Sequence, residues 1–198
     1  MFARTERLLL RPGWQEDAAA LAQAMGEEAV VRNLARAPWP YGEADAQAFL
    51  GQPVDPAQPR FLIFSRTVGA PRLVGGCGIA PAPDGALEMG YWIARPYWGL
   101  GFATEAGRQL VRIARAMNLP RLTAGHFTDN PASGAVLRKL GFRPTGRVVP
   151  RFSAARGSEA ACALFEEGDA DSDGAVTPMR GRIGVDDDFR QELRLLAA

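Results

Sequence analysis

The chain has 198 residues, 47% hydrophobic and 23% charged, with 23 Lys and Arg against 22 Asp and Glu. That is long enough for one domain with a sizeable core, and too ordinary in composition for a fibrous or wholly disordered chain. Two cysteines, Cys77 and Cys162, are too few for a disulfide framework and complete no zinc spacing, so a reducing cytoplasm is the expected compartment. Leu8-Leu9-Leu10, between Arg7 and Arg11, is too short for a membrane span or a signal-peptide core. Residues 6–11 read as a strand closed by Pro12. Residues 15–25 read as a helix with Glu16 and Asp17 in its first turn, and Gly26 follows it. Five prolines weaken the signal over 30–60, where a short helix is expected at 43–50.

Residues 61–68 and 73–80 are apolar runs separated by Gly69-Ala70-Pro71, a hairpin pattern, and 86–94 is a third strand after the turn Pro83-Asp84-Gly85. The spacing of Leu110, Val111, Ile113, Ala114 and Met117 predicts a helix over 103–117, stopped by Pro120. A strand at 121–127 and a helix at 131–140 follow, the helix with Pro131 in its first turn and Gly141 past its end. Residues 147–153 and 159–166 pair as a last hairpin across Ala155-Arg156-Gly157. The order predicts an α/β (α+β) domain over 1–166: a mixed, mostly antiparallel sheet with helices on both faces. Residues 167–198 form an acidic extension. From Glu166 onward there are nine acids and four arginines, which leaves 19 bases against 13 acids before it. A basic domain attracts phosphates in general. Within the extension, Asp169 to Gly174 imitates the start of a calcium loop, but Arg180 stands where a bidentate Glu is required, so an acidic linker is the expected form. No metal is expected, and residues 189–196 suit a short terminal helix.

The most informative stretch is Glu88-Met89-Gly90-Tyr91-Trp92-Ile93, then Trp98-Gly99-Leu100-Gly101-Phe102-Ala103-Thr104-Glu105 opening the long helix. Two glycines two residues apart let backbone N–H groups turn inward beside a helix N-terminus, an anion site suited to pyrophosphate. The loop follows a hairpin strand, which fits a dinucleotide fingerprint poorly, and no Gly-Lys-Ser/Thr is present for a P-loop. A tight connection that binds nothing is the alternative.

Trp98 to Ala103 aligns with the pattern Gln/Arg-x-x-Gly-x-Gly/Ala, with Gly101 and Ala103 in its small-residue places and Trp98 in its first. Tyr97 to Ala106 matches Tyr-Trp-Gly-x-Gly-Tyr-Ala-Thr-Glu-Ala with Phe102 for Tyr. Downstream, Asn130-Pro131-Ala132-Ser133, then Leu137, Lys139, Gly141 and Phe142, match Asn-x-x-Ser followed by Lys-x-Gly-Phe. In these strings, and in Thr5 to Pro12, the chain resembles the GNAT superfamily of acetyl-CoA-dependent N-acetyltransferases over about residues 5–166. Within it the chain is similar to the RimJ/RimL-type ribosomal-protein alanine acetyltransferases.

The resemblance implies a direct transfer of acetyl from a thioester to an amine, with acetyl-CoA as co-substrate. It implies that Tyr91, Trp92 and Ile93 offer strand backbone groups to the pantetheine arm, and that the loop from Trp98 through Gly99, Leu100, Gly101, Phe102 and Ala103 to Thr104 holds the pyrophosphate. Asn130 and Ser133 lie on one helix face toward the pantetheine end. Many relatives carry a tyrosine at the place of Leu137 to protonate the leaving thiolate; here Ser133 is the candidate donor. Glu88 is the candidate general base. Each has a bland alternative: Asn130 a helix cap, Ser133 a solvated serine, Glu88 a strand-end carboxylate or an arginine's partner. His126, the only histidine, is a further base candidate or a packed strand residue, and Trp39 and Tyr41 wall the acceptor site or anchor a loop. The expected acceptor is a protein or peptide α-amine. A small amine (polyamine, amino acid or antibiotic) and a non-catalytic acetyl-CoA-binding module stand beside it. Neither nucleic acid nor membrane is expected as a partner, and a homodimer is left open.

Overall fold

In the computed structural model, the described residues are 1–53, 55–67, 69–82 and 84–168. Its elements in chain order are β1 (Ala3–Arg4), β2 (Leu8–Arg11), a 3-10 turn (Gln15–Asp17), α1 (Ala18–Met25), α2 (Glu28–Val31), α3 (Glu43–Leu50), β3 (Arg60–Ser65), β4 (Arg72–Pro81) and β5 (Leu87–Ile93). A second 3-10 turn (Arg95–Tyr97), α4 (Phe102–Ala116), β6 (Leu122–Phe127), α5 (Pro131–Lys139), β7 (Phe142–Ser153) and β8 (Ser158–Glu167) complete it. The calcium-loop imitation and the terminal helix at 189–196 lie outside the described residues.

The eight strands form one sheet in the order β1-β2-β3-β4-β5-β6-β8-β7. Every pairing is antiparallel except that of β5 with β6, as the sequence order anticipated. β3 explains why the centre reads as an unbroken apolar run. Phe61 and Ile63 enter the core on one face, Leu62 and Phe64 the core on the other, so alternation hides no polar face. The first core lies under α4, which buries Phe102, Ala106, Leu110, Val111, Ile113 and Ala114 on one stripe. The second lies under the first three helices and takes Leu21, Val30, Val31 and Ala46. Full burial of a side chain such as Leu110 contributes about 1.5–3 kcal/mol.

Three expectations need correcting. Glu167, grouped with the acidic extension, belongs to the last strand. Glu167 accepts from Arg115 at 2.8 Å and from the Leu122 N–H at 3.3 Å. β7 begins at Phe142, ahead of the expected 147, because a bulge between Pro144 and Val148 absorbs a proline and the left-handed Gly146. The first expected strand begins only at Leu8, and a further short strand before it, β1, folds back on Leu9 and Leu10. Among the described residues no helix is long and apolar enough to cross a membrane, and no group of three His, Cys, Asp or Glu could hold a metal ion.

Candidate active site

The parallel pair β5–β6 is joined only where Leu87 faces Leu122 and Glu88 faces Thr123. Beyond that the strands part, and β5 from Met89 onward runs along an opening in the middle of the sheet. Gly90, mid-strand, is exposed, and a Cβ placed on it would meet nothing within 4 Å. Across β4, the Ala94 N–H donates to Val74 O at 2.9 Å, which fixes the antiparallel alternation. Trp92 and Ala94 turn their backbone groups to β4, and Tyr91 and Ile93 turn theirs to the opening. Of the three residues expected to offer backbone groups, Trp92 thus has its own turned toward β4. Its indole lies over Gly76, whose Cβ would come within 2.5 Å of Trp92 Nε1. Ile93 is partly engaged as well, since its carbonyl accepts from Trp98 Nε1 at 2.6 Å.

The glycine loop has the conformation its composition suggests. Gly99 and Gly101 both lie at positive φ, 78° and 80°, and Gly101 caps α4. The first-turn N–H groups of Phe102, Ala103 and Thr104 have no acceptor within the helix by geometry, and they face the end of the loop. The loop is fastened from behind by residues that spacing alone did not flag. Arg7 Nη1 donates to Leu100 O at 3.0 Å, and its guanidinium lies 4.8 Å from the Phe102 ring centre. Arg7 is held in turn by Glu105, whose carboxylate accepts from Arg7 Nε at 2.7 Å, the Arg7 N–H at 2.9 Å and Thr5 Oγ1 at 2.5 Å. Burial would raise the Glu105 carboxyl, but these donors outweigh it and its pKa lies below the ordinary value.

Asn130 caps α5, its side chain accepting from the Ser133 N–H at 3.3 Å. Ser133 is half-buried, and its Oγ lies 2.8 Å from Tyr91 Oη, so α5 and β5 meet at the opening. The Tyr91 phenol is pushed up to about 12 by burial, against the opposing pull of its bond with Ser133. Leu137 is 1% exposed and points into the core, not toward this space.

Glu88 shares its strand face with Gly90 and Trp92, and both of its oxygens accept from Arg151, at 2.5 and 3.1 Å. The hydrogen bond to Glu88 raises the Arg151 pKa, despite burial. A second carboxylate nearby in sequence to α5, Asp129, takes both Arg156 amino groups at 2.8 and 2.9 Å and Arg32 at 3.2 Å. Those bonds to Arg156 hold it below the usual carboxylate value. Arg151 and Arg156 come from the last hairpin, far away in sequence, and no local pattern marks them. His126 is packed under α5: its ring lies 5.5 Å from that of Phe165, and a Cβ on Gly134 would come within 2.6 Å of its Nε2. Tyr41 packs on the second core while Trp39 stays exposed, so the first serves as a loop anchor.

The sequence matches a family described as acetyltransferase (GNAT) domain over residues 7–143. A curated relative, the uncharacterized N-acetyltransferase p20 of Bacillus licheniformis, is 29% identical over 148 residues, 72% of this chain and 82% of the relative. Among solved structures, a ribosomal-protein-S5-alanine acetyltransferase from Vibrio fischeri is similar with a TM-score of 0.69 at 18% identity, covering 86% of this chain and 98% of that one. RimL, a ribosomal L7/L12 α-N-protein acetyltransferase in complex with coenzyme A, has a TM-score of 0.66 at 19% identity, covering 84% and 97%. With the split sheet, the left-handed glycine loop at the head of α4 and the family match over most of the domain, the chain belongs to the GNAT acetyltransferases, which transfer acetyl from acetyl-CoA to an amine.

Proposed function

We propose that this enzyme acetylates the α-amine of a protein or peptide. The observation that carries the reading is the bidentate pairing of Glu88 with Arg151. Each Glu88 oxygen is engaged by a guanidinium, as each Asp129 oxygen is by Arg156, so neither carboxylate is free of an arginine partner. A site built this way suits an amine that arrives partly neutral. An α-amine of pKa about 8 is roughly a tenth neutral at pH 7, whereas a lysine amine near 10.4 is on the order of 0.04% neutral. The likeness to proteins named as ribosomal-protein acetyltransferases supports the same acceptor class.

Acetyl-CoA supplies an activated acyl group on a thioester. The residues present fit it: the opening beside β5 offers the backbone of Tyr91 and Ile93, and nothing stands within 4 Å of a Cβ placed on Gly90. Gly99 to Thr104 would hold the pyrophosphate through backbone N–H groups, with Trp98 closing the strand-to-loop corner. Placing thioester and amine together accounts for much of the acceleration. Asn130 fixes the first turn of α5, and Ser133 Oγ holds the proton for the departing sulfur.

A thiol-release assay against an amine panel tests this. A peptide with a free N-terminus should turn over, and the same peptide with a blocked N-terminus and a lysine should not. A polyamine or free amino acid outpacing every peptide would move the acceptor to the small-amine class. Tight acetyl-CoA binding with no turnover on any amine would leave a binding module. Ser133→Ala should lower kcat by about 10² with acetyl-CoA affinity nearly intact, and an unchanged kcat would remove Ser133 from its role.

A further inference from the structure

Tyr91 enters the site by its side chain as well as its backbone. It stands on β5 on the same face as Met89, and its half-buried ring packs against the first core. From there the phenol reaches α5, with Oη 2.8 Å from Ser133 Oγ and 3.1 Å from Ser133 O. The phenol has one proton and two acceptors to choose from. If the proton goes to the carbonyl, Ser133 must spend its own proton on Tyr91 Oη. If it goes to Oγ, the serine proton is turned away from Tyr91. The Ser133 carbonyl already lies inside the bonding pattern of α5, and a charged sulfur in the opening would draw the serine proton toward itself. Both effects favour the second arrangement, in which each hydrogen bond polarises the next.

We propose that Tyr91 is the positioning residue for Ser133: its phenol donates to Ser133 Oγ and thereby aims the serine proton into the opening between β5 and β6. This rests on the reading of Ser133 as the donor. Ser133 is then held on two sides, its N–H by Asn130 and its Oγ by Tyr91. Burial keeps the phenol protonated throughout the working pH range, so it stays a donor. The arrangement also accounts for a leucine at 137, since a phenol reaches the serine from the strand.

Tyr91→Phe keeps the ring and removes the donor. In the wild-type background kcat should fall about three- to tenfold, with the acetyl-CoA dissociation constant within twofold. In the Ser133→Ala background the same change should cost nothing further, because the residue it acts through is gone. Equal losses in the two backgrounds, or a loss of acetyl-CoA affinity in place of kcat, would overturn the proposal while leaving Ser133 in its role. A Ser133→Ala enzyme as fast as wild type would overturn both. Tyr91→Met, apolar and without a donor, serves if the Phe variant is not recovered folded, and the same outcomes decide.

Discussion

Replacing Glu105 with glutamine isolates the clamp behind the glycine loop. The carboxylate is 17% exposed and accepts three hydrogen bonds, two on Oε1 from Thr5 and the Arg7 backbone and one on Oε2 from Arg7 Nε. Glutamine can keep the two on its oxygen. At the other position its NH2 group faces Arg7 Nε–H, donor against donor, and the charge is lost. A charge-assisted bond contributes about 1.5–3 kcal/mol. Arg7 is itself 36% exposed, so the low end applies, about 1.5–2 kcal/mol. With a urea slope of about 2 kcal/mol/M, the unfolding midpoint should move down by about 0.8–1 M. The pH dependence has a definite sign. The folded pKa is lowered, so the stabilisation is fully present above the unfolded value of about 4.3 and is lost as pH falls through the folded one. The gap between wild type and E105Q should therefore be full at pH 7 and close as the pH falls from about 4. Acetyl-CoA titration should show weaker binding in the variant, since Arg7 also holds Leu100 O. Coincident urea curves at pH 7, or a gap that persists undiminished in acid, would refute the reasoning.

Two further substitutions probe the site from other directions. Leu137→Tyr, which installs the phenol many relatives carry, should lower stability by about 1–3 kcal/mol in thermal melts and leave kcat no higher, because this side chain is 1% exposed in the core; a stable and faster enzyme would contradict that placement. Gly101→Ala forces a side chain to φ +80°, a strain of about 1–2 kcal/mol. Calorimetry should find acetyl-CoA binding weakened about tenfold with peptide KM little changed, and an unaltered dissociation constant would show that the left-handed turn is not required.

What the sequence displayed and what it hid divide along physical lines. The long helix and the strands of the first core were legible because their apolar spacing repeats over many residues. The glycine loop and the Asn130–Ser133 turn were legible because their residues lie close together in the chain. α2 was not, since a helix of Glu28–Val31 is one turn long and depends on Val30 and Val31 reaching the second core. Nor were the links between Glu88 and Arg151, Tyr91 and Ser133, or Thr5 and Glu105, which are 63, 42 and 100 residues apart. Each is made only when the sheet brings distant strands and helices together. The direction of Trp92's backbone was hidden for a smaller reason: it depends on register across β4, and composition does not encode register.

A β-sheet resists deformation because its ladder of backbone bonds is continuous from edge to edge. Here that continuity stops after two residues of β5 and β6, leaving a five-stranded panel and a three-stranded panel along one seam. Glu88 with Arg151 stitches the seam on one face of the sheet, and Tyr91 with Ser133 stitches it on the other. Along the rest of the seam the two panels are joined through side chains and not through a ladder of backbone bonds. A slender molecule lying in the seam would act as a missing rung.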